Sequence, residues 1–376
     1  MKIVLTGAGS LVGQCVLDCL EGRRENLHLI GANLDPHAVN LHRCDQIYPL
    51  PPVTDAAAFT MALGRLIDRE APDLVIPCRD PDIPILAAWQ DAGAAQAPIL
   101  VGPTWLAELM MDKWKLYCWA RHEGLPFAQT VLSGQPESLP NGLALVEEFG
   151  FPLIVKPRRG SGSTGIRVLL NHSQLERTVG LQDMLIQPFY DIPQGSHFAL
   201  DLAFGLPLFW EIPCPYEFGG QFLIGPDGAI GPHLAFGSSH RLGRVESQEP
   251  CPDERLAGDL MAFAKAFAKA GWRGPLNIQA RRDGHSWRVI EVNGRFSGGT
   301  SARYLLGLDE VGWIINAWAG AVVVPGSPNL PAAKVQRLFT NFSVLGATTS
   351  SGRETEGNDE GFDPQGHAMR MVDQVR

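Results

Sequence analysis

A chain of 376 residues, 45% hydrophobic and 19% charged, carries enough apolar material for two or three packed domains. Its net charge of −9 argues against a nucleic-acid binder, because phosphate backbones are held mainly by clustered Lys and Arg. The seven cysteines are scattered singly with no CxxC pair, which fits a reducing, cytoplasmic setting better than a disulfide scaffold or a zinc site. No stretch reaches the ~20 apolar residues of a membrane span: WIINAWAGAVVVPG falls short and carries Asn316.

The chain opens MKIVLTGAGSLVGQ. Ile3 to Leu5 predict a strand, and Gly7, Gly9 and Gly13 a tight turn into a helix. Such glycines let a backbone approach a pyrophosphate at a helix N-terminus, and Asp35 follows at the distance of a ribose-binding acid. A lone glycine-rich turn is weak evidence, and tight turning with close helix packing explains the same glycines. None of the five tyrosines (48, 117, 190, 216, 304) has a Lys four residues on, so the Tyr-x-x-x-Lys pair of one dehydrogenase class is missing.

Helical LVGQCVLDCLEG, strand LHLIGANL, helical FTMALGRLIDREA and strand DLVIPC follow, a βαβ rhythm that predicts a parallel sheet. A helix is expected from Asp112 to Glu123, with Asp112 as N-cap and Gly124 just past its end. From there the pattern changes. FPLIVKP, GIRVLL, MLIQPF, HFALDLAF and LPLFWEI read as strands with short turns, an α+β region with antiparallel pairing. LAGDLMAFAKAFAKAG reads as an amphipathic helix ending at Gly271. The last ~30 residues are polar and glycine-rich and are expected to be disordered.

Two later stretches carry the chemistry. FPLIVKPRRGSGSTGIRVLL contains GxGxxG at Gly160, Gly162 and Gly165, but a strand follows it where a dinucleotide fold needs a helix. A Gly- and Ser-rich loop between antiparallel strands can fold over a triphosphate and offer it backbone N–H groups. Lys156 ends the strand before that loop, in a chain with only seven lysines, where it would neutralise phosphate charge. A hairpin with a surface turn is the structural alternative. GxxxxGK[ST] does not occur in the chain.

In GPLNIQARRDGHSWRVIEVNGRFSGG, Asp283–Gly284 signals a hairpin between two strands. Period-two geometry puts Glu291, Asn293 and Arg295 on one face, and a turn of about three residues would set Gln279 opposite Glu291. One carboxylate and two amides form an all-oxygen cluster suited to Mg²⁺, which keeps waters and substrate phosphates in its shell. A solvated strand face would carry the same residues; the phosphate loop ~120 residues upstream favours the metal.

Lys113 in MDKWK, Lys156 in FPLIVKP, the loop RRGSGSTGI, LIQPFY, and then NIQ with IEVNGRFSGG stand in the order of an ATP-grasp enzyme. Over about residues 1 to 325 the chain resembles the carbamoyl-phosphate synthase and biotin carboxylase group and its smaller amino-acid ligases. The resemblance implies a Rossmann-like pre-ATP-grasp domain (1–105) that normally binds no dinucleotide, so that GAGSLVG is scaffold. It implies an ATP-grasp domain (106–325) with antiparallel sheets, its lid about 125–187 and its catalytic part about 188–325. An extension (326–345) and the tail (346–376) would follow.

The resemblance also implies roles. Lys113 and Lys156 would contact the ATP phosphates, with Gly160, Ser161, Gly162, Ser163 and Thr164 as the lid over them. Gln187, Pro188 and Phe189 would be the hinge against adenine. Gln279, Glu291 and Asn293 would hold two Mg²⁺ ions, or Mn²⁺, and Arg295 would meet the carboxylate or acyl phosphate. Ligases of this type often read Glu-Tyr-Ser-Val-Asp where this chain reads HFALD, so His197 replaces a Glu while Asp201 is kept. Pro188 removes one N–H donor from the hinge, where Gln187 stands in place of a common acid. The expected activity is ATP-dependent joining of a small carboxylate to an amine, with no nucleic-acid or membrane partner and with room for a homodimer. An oxidoreductase using GAGSLVG, and an inactive nucleotide-binding protein, are the rival readings.

Overall fold

The computed structural model describes residues 1–160, 164–190, 217–241, 244–320, 323, 326 and 333–337. The N-terminal βαβ rhythm builds β1 (Lys2–Thr6), α1 (Leu11–Leu20), β2 (His28–Asn33), β3 (Gln46–Pro49), α2 (Ala56–Glu70), β4 (Leu74–Pro77) and α3 (Asp82–Asp91). The strands pair in parallel in the order β3-β2-β1-β4. Alternation along β1 sends Val4 to a core shared with Phe59 and Leu63 of α2. Ile3 and Leu5 go to the opposite core, with Val16 and Leu20 of α1.

α4 (Thr104–Met111) and α5 (Lys113–His122) meet at Asp112, which caps α5 by accepting from the backbone N–H groups of Trp114 and Lys115. The expected helix is therefore present with its expected cap, and Gly124 follows it at φ +69°.

β5 (Val131–Leu132), α6 (Ser138–Phe149), β6 (Leu153–Pro157), β7 (Arg167–Leu169), α7 (His172–Val179) and β8 (Met184–Pro188) follow. The strands form an antiparallel sheet of order β5-β8-β6-β7, closed over Leu145, Leu153, Leu175 and Ile186. A larger antiparallel sheet is built from β9 (Glu217–Ile224), β10 (Ile230–Arg241), β11 (Arg244–Pro250), β12 (Gly274–Asp283), β13 (Ser286–Asn293) and β14 (Val335–Gln336), in the order β13-β12-β9-β10-β11-β14. α8 (Glu254–Lys269) buries Leu256, Leu260, Phe263 and Phe267 completely against its apolar face. α9 (Thr300–Leu305) and α10 (Glu310–Ala319) complete the described helices.

The other face of this sheet is polar. Its register places Asn293, Asn277 and Gln221 in one row, and Glu291, Gln279 and Gly219 in the next. The strands expected in HFALDLAF and LPLFWEI, the residues His197 and Asp201 within and near them, and the expected tail lie outside the described residues. No helix among the described residues is long and apolar enough to cross a membrane.

Candidate active site

Gln279 stands directly opposite Glu291, as expected, but by a different route. Asp283 pairs with Ser286, so the turn has two residues, with Gly284 at φ +58°, and not three. Register then shifts between Gln279 and Ala280, leaving Ile290 as one extra residue in β13. Such a bulge leaves a backbone group out of the ladder. Here the Ile290 carbonyl accepts a 3.1 Å hydrogen bond from Lys156 Nζ. The bulge therefore both restores the Gln279–Glu291 pairing and anchors the lysine that ends β6.

Lys156 and Lys113 converge on this spot from separate elements. Lys113, first residue of α5, donates to the Gly160 carbonyl at 2.6 Å and stands 3.7 Å from Glu291. Gly160 opens the glycine loop at φ +129°, a conformation that side chains rarely adopt. Burial pushes the Lys156 ammonium down to about 8; the Glu291 carboxylate opposes that shift and Lys113 adds to it. The cleft runs between the small and large sheets. It is lined by Lys113, Lys156, Gly160, Thr164, Gln279 and Glu291, and at its other end by Gln187, Pro188 and Phe189.

Most of the expected residues are thus in one cleft. Gln187 lines it while its Nε2 donates to Thr130 Oγ1 at 2.7 Å. Ser161, Gly162 and Ser163 lie outside the described residues. Asn293 is next on the Glu291 face but borders a separate small cavity with Asp80 and Gly294. Arg295 forms a fork with Asp80, Nε to Oδ1 at 2.6 Å and Nη2 to Oδ2 at 2.8 Å, and donates from Nη1 to the Phe296 carbonyl. Burial alone would lower its pKa; Asp80 outweighs that and holds the guanidinium above its ordinary range.

Three further residues were not among those expected from the sequence. Glu217 and Arg281 line the cleft and form a 3.3 Å ion pair. Arg281 shares the period-two face of Gln279, so alternation along β12 points to it; Glu217 is the first residue of β9, and its place in the cleft depends on the pairing of β9 beside β12, about 50 residues on. Asp80 ends the run VIPCRD and pairs with Arg295 across 215 residues of sequence, beyond the reach of any local pattern.

For a hard divalent cation the cleft offers the Glu291 carboxylate with the facing Gln279 amide, and a second carboxylate, Glu217, that is engaged by Arg281. No cluster of three or more His, Cys, Asp or Glu side chains suited to a metal occurs among the described residues. Such a donor set fits Mg²⁺ where a polyphosphate supplies the remaining oxygens. The opening glycines are each packed closely against the chain. A Cβ at Gly7 would meet the Arg79 side chain at 2.4 Å, one at Gly13 would meet the Ala8 carbonyl at 2.2 Å, and Ser10 Oγ caps α1. These glycines serve close packing.

A parallel α/β unit followed by two antiparallel sheets with a polar cleft between them is the arrangement the sequence resemblance implies. The chain superposes on N5-carboxyaminoimidazole synthetase from Staphylococcus aureus complexed with ADP (TM-score 0.65, 14% identity, 87% of this chain and 79% of that one). It also superposes on biotin carboxylase from Campylobacter jejuni (0.61, 15%, 86% and 73%) and on L-amino acid ligase from Bacillus licheniformis (0.58, 18%, 85% and 74%). At these identities the likeness is one of fold. No protein-family sequence profile matches the chain.

Proposed function

We propose that the protein is an ADP-forming, ATP-dependent ligase that activates a substrate carboxylate as an acyl phosphate and joins it to an amine. The observation that carries this reading is the meeting of Lys113, Lys156, Glu291 and Gln279 in one cleft beside the glycine loop. Lys113 and Lys156 bind the phosphates, and the backbone from Gln187 to Phe189 borders the adenine. Gly160 to Thr164 form the start and end of the loop over the phosphates. Glu291 and Gln279, with Asn293 next on the same face, would hold Mg²⁺, which would neutralise phosphate charge. The solved relative from Staphylococcus aureus carries ADP, in agreement with this assignment.

The reaction has two steps. A carboxylate oxygen attacks the γ-phosphorus, the bond from that phosphorus to the ADP oxygen breaks, and an acyl phosphate forms. The amine nitrogen then attacks the acyl carbon, phosphate leaves, and the nitrogen loses a proton. Carboxylate and triphosphate repel each other, so Lys156 and Arg295 supply the positive charge that brings them together. The division into 1–105 and 106–325, with lid and catalytic parts, belongs to the same reading.

Thermal unfolding of the wild type and of Lys156→Ala, with Mg-ATP and with NADPH in turn, tests it. A ligand at about 100 times its dissociation constant adds ~2.7 kcal/mol. Stabilisation by Mg-ATP that Lys156→Ala loses is the expected result. A shift with NADPH and none with Mg-ATP would overturn the reading in favour of an oxidoreductase.

A further inference from the structure

Around Gln187 the lining of the cleft is apolar: Ile154 pairs with it across the sheet, and Pro188 and Phe189 follow it. Alternation along β8 sends Ile186 into the core of the small sheet and Gln187 to the opposite face, that of Ile154. Pro188 has no N–H to offer a ring nitrogen, so a flat base seated here meets the Gln187 amide as a polar group that can tell one base from another.

The end of that amide which faces the cleft is fixed by a residue behind it. Thr130, immediately before β5 and 6% exposed, is not among the residues that line the cleft. Its hydroxyl gives its one hydrogen to the Ala128 carbonyl at 2.8 Å, since a carbonyl cannot donate. The hydroxyl oxygen is left as an acceptor, and Gln187 Nε2 donates to it at 2.7 Å. Turning the amide over would set Oε1 against that oxygen with no hydrogen between them. Hydrogen-bond logic therefore allows the amide one orientation. Oε1 bonds to no described residue and is not sealed from solvent, so it is an acceptor without a protein donor.

A 6-aminopurine offers an N–H donor at its exocyclic group, whereas a 6-oxopurine offers an acceptor there. A fixed Oε1 pairs with the first and opposes the second. A carboxylate at this position would make the same choice unaided, because both its oxygens accept. An amide makes it only while it is held. We propose, resting on the ligase reading above, that Thr130 is a positioning residue that sets nucleobase choice: it locks the Gln187 amide, so that the cleft takes a 6-aminopurine triphosphate and rejects the 6-oxo analogue.

Calorimetric titration with Mg-ATP and with Mg-ITP, which differ at C6 and in the N1 proton that follows from it, tests this without the acid or the amine. The wild type is expected to bind Mg-ATP about 100-fold more tightly. In Thr130→Val the amide is free to turn, and the ratio should fall at least about tenfold, mainly through tighter Mg-ITP binding. Thr130→Ser keeps the hydroxyl and should keep the ratio. Adding Gln187→Glu to Thr130→Val should restore it, because a carboxylate needs no lock. A wild-type ratio near 1, with Mg-ATP bound, would overturn the proposal and leave the ligase reading standing. So would equal weakening of both nucleotides in a Thr130→Val protein with unchanged circular dichroism, or failure of Gln187→Glu to restore the ratio. If Thr130→Val does not fold, Gln187→Leu decides: the ratio should collapse, and a ratio retained there overturns the proposal. Binding of neither nucleotide by the wild type overturns the reading beneath it.

Discussion

Lys113 links two parts of the cleft that lie far apart in sequence: its ammonium stands 3.7 Å from Glu291 Oε1 and 2.6 Å from the Gly160 carbonyl. One cation therefore joins the start of the glycine loop to the polar face of the large sheet. With Lys156 beside it, Glu291 is the carboxylate against which both lysines are balanced. Glu291→Gln keeps the shape and removes the charge. We expect this variant to fold, by far-UV circular dichroism, and to lose ADP release by more than about 100-fold, beyond the 10–100-fold typical of residues that only support a metal ligand. Mg-ATP should no longer raise its unfolding temperature. Full turnover in Glu291→Gln would sink the metal and phosphate assignment together.

Lys156 predicts a pH dependence with a definite sign. Its ammonium titrates near 8 in the folded chain and near 10.5 when unfolded, because burial disfavours the charge. Between those values the unfolded chain binds the extra proton, so stability without ligand should rise as pH goes from about 8 to about 10.5. Below 8 both states are protonated and this contribution is flat. A bound polyphosphate favours the ammonium, so Mg-ATP binding should take up a proton near pH 8.5 and weaken as pH climbs further. Calorimetric titration in two buffers of different ionisation enthalpy measures that uptake. Lys156→Met should abolish it, and an unchanged uptake in that variant would assign the proton elsewhere.

Asp112 holds the start of α5, and with it Lys113, in place without lining the cleft. It caps α5, receives Arg158 at 2.8 Å and Arg159 at 3.4 Å, and is fully buried. Burial raises its pKa, but the Arg158 bond and the Lys115 N–H outweigh that, and the net shift is downward. Because Lys113 is the next residue and its N–H bonds the Arg158 carbonyl, Asp112 fixes α5 against the glycine loop. Asp112→Ala removes a cap and a charge partner, a loss of about 1–3 kcal/mol. Urea unfolding should show that loss, and the apparent Mg-ATP affinity should fall with it. Unaltered affinity at reduced stability would confine Asp112 to a structural role.

Most of the cleft was legible because its residues stand in local patterns. Lys156 ends a hydrophobic strand before a glycine loop, and Glu291 and Gln279 obey the two-residue alternation of a hairpin. The bulge at Ile290 was missed although core-facing Trp287, Val289 and Val292 break the two-residue alternation there, because a three-residue turn gives the same Gln279–Glu291 pairing without it. Asp80 escaped for a different reason. Its partner Arg295 is 215 residues away, and only the docking of the parallel unit on the large sheet brings the two together. The opening glycines show the reverse case: a motif whose spacing is legible but whose glycines are already accounted for by close packing against Arg79 and the Ala8 backbone.

Arg303 and Glu310 form a fully buried ion pair at 2.6 Å behind the loop that carries Arg295. Thr300 bonds to Glu310, and Arg303 reaches Ser297, Thr300 and Gln221 as well, so the turn 297–300 is pinned from beneath. Gln221 in turn accepts from Asn277, which connects the pair to the polar face of the sheet. Removing one partner strands a charge where water does not reach, whereas removing both does not. Arg303→Met should therefore cost about 3–5 kcal/mol, and Arg303→Met with Glu310→Leu markedly less. Urea midpoints of the single and double variants decide the matter. If the double variant is as unstable as the single, the loss lies in packing over Phe236, whose ring centre is 4.9 Å from the guanidinium, and not in the stranded carboxylate. Activity supplies the second readout: a double variant that folds but loosens the turn should raise the KM for the acid more than it lowers kcat.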